Sequence, residues 1–154
     1  MIELRKPAFS ELSFRQALLA DEKTMAYNHA YGGTIDFSPD RWESWYQKWC
    51  LDPSGDHFYR YLYDTESGVF VGEASYHKAD SGVFLCDVIV HSAFRGKGFG
   101  KAGLLTLLVA AEENGLSSLS DEIAADNPSL LLFLSLGFSI VEKTAEKTVV
   151  TKIL

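Results

Sequence analysis

Hydrophobic and polar positions divide the chain into short elements from its first residues. Residues 2–5 alternate apolar and charged, a short edge strand that Pro7 closes. Residues 9–20, carrying Leu12, Ala17, Leu18 and Leu19, read as a helix, residues 21–28 continue as a second helical piece, and Gly32-Gly33 ends that region. Ser38-Pro39-Asp40 predicts a helix start, with serine as cap, proline at the first helical position and an acid at the positive end of the helix dipole. Trp42, Trp45, Tyr46 and Trp49 then recur at i, i+3, i+4 and i+7, which makes one face of this helix aromatic. Such a stripe is core packing before it is anything else; its second reading is a wall for a cationic or flat acceptor.

The middle of the chain switches to a period of two. After the turn cluster at residues 52–56, Tyr59, Tyr61 and Tyr63 alternate with Phe58, Arg60 and Leu62, as in a half-buried strand. Residues 65–68 form a hairpin turn, residues 69–77 the partner strand, residues 80–82 another turn, and residues 83–90 the third strand of a meander. A long helix is predicted over residues 98–114 and a strand over 119–125, despite Asp121 and Glu122. Asn127-Pro128 opens a helix running through Leu136; strands follow from Gly137 to about residue 142 and over 147–153, antiparallel to each other. This order predicts an α/β (α+β) sandwich with a mixed sheet, in one domain over residues 1–154.

The candidate chemistry lies where the meander ends, in residues 88–103. An apolar strand ends at Val90, Gly96, Gly98, Gly100 and Gly103 punctuate a turn, and an apolar helical pattern follows. Unpaired N–H groups and partial positive charge at a helix start suit a phosphate, and glycines let it approach the main chain. Arg95, Lys97 and Lys101 add formal positive charge. The pattern G-x-x-x-x-G-K-[ST] fails, because Ala102 follows Gly100-Lys101 and Arg95 stands five before Gly100. Gly98, Gly100 and Gly103 match G-x-G-x-x-G, with Asp121 or Glu122 near the ribose-binding offset, yet the loop from His91 to Lys97 is long for that fingerprint and too little chain follows to complete a doubly wound sheet.

Arg95-x-x-Gly98-x-Gly100 after an apolar strand resembles the acyl-CoA pyrophosphate loop of the GNAT superfamily of N-acetyltransferases, and Asn127 followed by Phe133, Leu136, Gly137 and Phe138 is similar to that family's closing helix and next strand. The resemblance implies a three-layer sandwich, a mixed, mostly antiparallel central sheet with helices on both faces, and acetyl-CoA as cofactor. It places the pantetheine arm against Val88, Ile89 and Val90, the pyrophosphate against Arg95, Gly96, Lys97, Gly98, Phe99, Gly100 and Lys101, and a pantetheine amide near Asn127. It also implies direct attack by a neutral amine, of a small molecule or a protein. Glu73 is the first candidate for the base, on a strand face with Val69, Val71, Ser75 and His77, and Asp87 the second. The family's usual tyrosine acid, four residues before the Gly-Phe glycine, is Phe133 here, which cannot give a proton. A non-catalytic acyl-CoA sensor is therefore the rival to the enzyme, with Ser129, Ser135 or water as replacement donors in the enzyme reading.

Composition narrows the partners. A net charge of -7 argues against nucleic acid, which needs a basic face. No apolar run approaches the roughly 20 residues of a membrane span, and residues 1–5 lack the basic start of a signal peptide, so no membrane and a cytoplasmic location are expected. Cys50 and Cys86 form no C-x-x-C and read as free thiols; His29, His57, His77 and His91 have no ligand spacing, so no metal is expected. Exposed strand edges near the C-terminal end make a homodimer reasonable.

Overall fold

Seven strands form one sheet in the computed structural model, which describes residues 1–154. They are β1 (Ile2–Arg5), β2 (His57–Asp64), β3 (Val69–Lys78), β4 (Phe84–Val90), β5 (Ser118–Ala124), β6 (Ser139–Lys143) and β7 (Lys147–Ile153), in the spatial order β1-β2-β3-β4-β5-β7-β6. All neighbours are antiparallel except β4 and β5, which run parallel and share a single paired position, Leu85 with Ser120. The helices are α1 (Leu12–Ala20), α2 (Glu22–Met25), α3 (Trp42–Tyr46), α4 (Phe99–Glu113) and α5 (Leu130–Ser135). The architecture is the mixed α/β sandwich that the element order implied.

Both faces of the sheet are covered. On one, α4 turns Leu104, Leu107, Leu108 and Ala111 inward at helical spacing against Leu62, Ala74, Cys86, Leu119 and Val150, and Phe133 of α5 joins them. Burying each such leucine contributes about 1.5–3 kcal/mol. At Gly103 an added Cβ would sit 2.8 Å from a Leu62 methyl carbon, so this glycine sets the distance of α4 from the sheet. On the other face, Leu12, Leu18, Leu19, Met25 and Phe37 pack with Ile89. Strand β2 is therefore not half-buried as its alternation suggested: Tyr59, Tyr61 and Leu62 are at most 2% exposed, because each side of the sheet has its own helical layer.

The aromatic stripe belongs to this second layer. Trp42 and Trp45 pack on Phe37, and Trp45 meets Tyr59 edge-on at 4.7 Å. The cation they surround is the protein's own: the Arg15 guanidinium lies 4.5 Å from the Trp45 ring centre and 4.9 Å from that of Phe37. Pro39 begins the helical segment as expected. Ser38 does not cap it, since its hydroxyl donates to the Asp40 side chain at 2.5 Å instead. The helix expected from Asn127 starts three residues later, at Leu130, because the Asn127 side chain accepts the Ser129 N–H at 3.0 Å and closes a turn there. Both cysteines are free.

Candidate functional site

Parallel strands held by one paired position diverge beyond it. Past Leu85 the edge of β4 that faces β5 has no strand partner, and a cleft of about 890 Å³ opens in the gap. The cleft takes one wall from Val88, Ile89 and Val90 of β4, and another from β5 and the start of α5, including Asn127 and Phe133. Its roof is the short helical turn Ala26–Tyr31.

At the end of β4 the cleft meets the glycine loop. Gly96 and Gly98 hold φ of 79° and 83°, left-handed conformations that an L side chain resists. In consequence the N–H groups of residues 96–101 donate to no backbone carbonyl, and the first helical bond of α4 runs from Ala102 to the Gly98 carbonyl at 3.1 Å. Consecutive unpaired donors at a fifteen-residue helix start form a cradle for a diphosphate. Gly96, Gly98, Phe99 and Gly100 line the cleft; Lys97 and Lys101 stand outside it. A Cβ at Gly98 would meet nothing within 4 Å, so Gly98→Ala is expected to cost about 1–2 kcal/mol through conformation alone, read as a lowered urea midpoint, together with weaker binding of coenzyme A.

Arg95 also lines the cleft, but its guanidinium is largely engaged. It donates to the carbonyls of Val90 (3.2 Å), Lys23 (3.2 Å) and Thr24 (2.7 Å), tying the loop to α2. Ser92 adds a second tie, its N–H donating to the Thr24 hydroxyl and its hydroxyl to Asp21. Hydrogen bonds from Thr24 and then Ser92 pull the Asp21 carboxyl down to about 2. Arg95 thus shapes the loop that presents the unpaired amides of residues 96–101.

The two candidate bases occupy different surroundings. Glu73 is 5% exposed and does not line the cleft. Arg15 donates to both of its oxygens, at 2.6 and 2.9 Å, and the Tyr59 hydroxyl donates to it as well. Burial works against the Arg15 charge and the Glu73 carboxylate outweighs it, raising the guanidinium's pKa. A carboxylate held by three such donors is poorly placed to collect a substrate proton. Asp87, across the β3–β4 ladder and two pairs further along, opens into the cleft just past the one position where β4 and β5 pair. Its side chain is exposed to the cleft; desolvation by the cleft walls, then the negative charge of Glu73, pushes its carboxyl up to about 7.

Asp121 lies on the facing strand, one residue beyond the same paired position. It is half-buried, and burial followed by the charge of Asp87 raises its carboxyl well above the ordinary range. In the sequence it shares the two-residue period of Leu119 and Ile123, which both enter the core. His77, on the Glu73 face, reaches the cleft margin, where burial and then the Lys48 charge lower its pKa. Phe133 is 4% exposed and stacks edge-on against Phe138 at 4.9 Å. Ser135 donates to the Leu132 carbonyl and does not line the cleft, whereas Ser129 does.

The sequence profile of the family described as Acetyltransferase (GNAT) matches residues 17–138. Comparison with curated proteins gave no significant match. Among solved structures, yncA from Salmonella typhimurium with its cofactor acetyl-CoA superposes with a TM-score of 0.78 at 22% identity, covering 99% of this chain and 94% of that one. The spermidine N-acetyltransferase of Vibrio cholerae, in complex with CoA and spermine, gives 0.78 at 16% identity over 99% and 95% of the two chains. The paia N-acetyltransferase of Thermoplasma acidophilum in complex with coenzyme A gives 0.72 at 13% identity over 100% and 99%. At these identities the likeness is one of fold. No helix of the chain is long and apolar enough to cross a membrane.

Proposed function

The chain belongs to the Acetyltransferase (GNAT) family, and from that premise we propose that it transfers an acetyl group from acetyl-CoA to a primary amine by direct attack. The observation that carries this reading is the gap between β4 and β5, whose open end meets the unpaired amides of residues 96–101 and whose closed end holds Asp87. Acetyl-CoA fits that geometry: its diphosphate seats on the amides, its pantetheine arm runs back along the free edge of Val88–Val90, and its thioester arrives near Asp87. Acetyl-CoA supplies the activated acetyl carbon. Asp87 accepts the proton that the attacking amine loses, directly or through one water, and free β4 amides polarise the thioester carbonyl. Asn127, at the far wall, offers its side-chain amide to the arm.

Two acids, Asp87 and Asp121, line the cleft just past the single paired position, at its closed end. This favours amines, which reach the site as cations and must lose a proton before attack. The spermine complex of the Vibrio relative agrees with an amine acceptor. We assign the whole chain to one catalytic domain working in the cytoplasm, a homodimer being the assembly to test by light scattering.

The absence of a tyrosine at Phe133 favours a second reading, a sensor that binds acyl-CoA without turnover. Two measurements separate the possibilities. Calorimetry is expected to show binding of coenzyme A and none of NAD, and a panel of small amines and peptides is expected to include acceptors that release CoA from acetyl-CoA. Tight binding with no release on any acceptor would establish the sensor instead; no heat with coenzyme A would sink both.

A further inference from the structure

Phe133 leaves the departing sulfur without its expected proton donor, and the lining of the same cleft carries another phenol. Tyr27 lies in the helical turn Ala26–Tyr31 that roofs the gap, and lines the cleft together with Asp87, Phe133 and the β4 edge. Its ring is anchored by packing on the core of α1, α2 and Ile89. No hydrogen bond of the chain uses its hydroxyl, although charged groups surround it: Asp87 is the nearest in effect, then Glu73 and Asp121, with Arg95 opposing them. The turn that carries it is fixed to the glycine loop, because Arg95 and Ser92 both bond the preceding helix α2 at Lys23 and Thr24. The position of Tyr27 is therefore set by the same ties that set the cofactor cradle.

We propose that Tyr27 is the general acid of this enzyme, giving its phenolic proton to the sulfur of coenzyme A as the thioester breaks. The inference rests on the acetyl-transfer reading above. In the step, the amine nitrogen forms the new C–N bond and its proton passes to Asp87; the C–S bond breaks, its electron pair stays on sulfur, and the Tyr27 proton completes the thiol. The Tyr27 phenolate then recovers a proton from Asp87, which lines the same cleft, and both groups return to their starting states. Amine and acetyl-CoA become amide and free coenzyme A, with no proton gained or lost by the protein. A phenol suits this role because it stays protonated through the neutral range and needs no special surroundings to do so.

Tyr27→Phe removes one oxygen and keeps the ring that packs. It is expected to lower kcat about 100-fold, the usual contribution of a positioned acid, with KM for the amine and the affinity for coenzyme A nearly unchanged. A readout independent of turnover uses the intact chain and two ligands, coenzyme A and its desulfo analogue. The native protein is expected to favour coenzyme A about fivefold by calorimetry, the worth of one hydrogen bond to sulfur, and Tyr27→Phe to lose that preference. Adding Phe133→Tyr to Tyr27→Phe is expected to restore part of the rate. An unchanged kcat in Tyr27→Phe, with the loss found in Asp121→Asn, would move the role to Asp121 and overturn the proposal. Equal weakening of both ligands in Tyr27→Phe would overturn it too, since that marks a packing role. If the native chain releases no CoA on any amine, the acetyl-transfer reading falls and takes this one with it; native turnover with an unaltered Tyr27→Phe removes this one alone.

Discussion

Asp87→Asn is expected to lower kcat by about 10²–10⁴-fold, the range for losing a general base, while leaving the calorimetric affinity for coenzyme A as it was. The substitution keeps the shape of the side chain and its place at the closed end of the β4–β5 gap, so a loss confined to turnover isolates proton transfer. The pH profile carries the same information with a definite sign. The base works as the anion, and the Asp87 carboxyl is raised to about 7 by desolvation and by Glu73. The rate should therefore climb with pH up to about 7 and level off above it, falling about tenfold for each pH unit below. In Asp87→Asn that slope should vanish. A variant that keeps both the native rate and the native slope would remove Asp87 from the mechanism.

The second large effect is on stability. Glu73→Ala is expected to destabilise the fold by about 3–5 kcal/mol, because it strands the Arg15 guanidinium in a site that solvent barely reaches. The side chains of Arg15 and Glu73 are 14% and 7% exposed, and Arg15 Nε already lacks a partner. For a chain of this size such a loss lowers the melting temperature by about 2–4 °C per kcal/mol. The double change Arg15→Met with Glu73→Leu should recover much of the loss, since it removes both charges and leaves apolar groups inside the same aromatic cage. Near-native melting of Glu73→Ala would show that the pair does not hold α1 to the sheet. Glu73→Ala has a catalytic consequence as well: without the neighbouring anion, the acidic limb of the rate profile should move to lower pH.

How much of this was legible in the chain follows from how local each signal is. Strands β2, β3, β4 and β7 were readable because a period of two needs only neighbouring residues. The glycine loop was readable for the same reason, as positive φ at Gly96 and Gly98 is met by residue type alone. The destination of the Arg95 side chain was not, because it depends on carbonyls of Lys23 and Thr24 more than seventy residues earlier. The strand face drawn through Val69, Val71 and Glu73 is broken by a register shift opposite Leu62 and Tyr63, so Val71 joins the α4-side core whereas Glu73 turns to Arg15. Its partner Arg15 is 58 positions away, and nothing in the spacing of β3 announces it. Tyr27 carried no motif at all; it becomes a candidate only when folding brings it into the lining of the cleft that Asp87 also lines. Asp121 was visible as an acid inside an apolar strand pattern, where its charge lowered the case for a strand. That mismatch between pattern and charge falls where the strand lines the cleft.

The position of β7 bears on how the molecule is made. This strand lies between β5 and β6, so its residues, although last in order, complete hydrogen bonding along both. Until they emerge from the ribosome, β5 has one free side towards the gap and another towards solvent, and β6 has no neighbour. A nascent chain stopped before Lys147 would hold the amide cradle and the β1–β4 meander yet lack a firm far wall. Long-range pairing of this kind is slow and leaves apolar edges open while it is awaited. The far wall of the cleft therefore becomes firm only once β7 has paired with β5 on the side away from the gap.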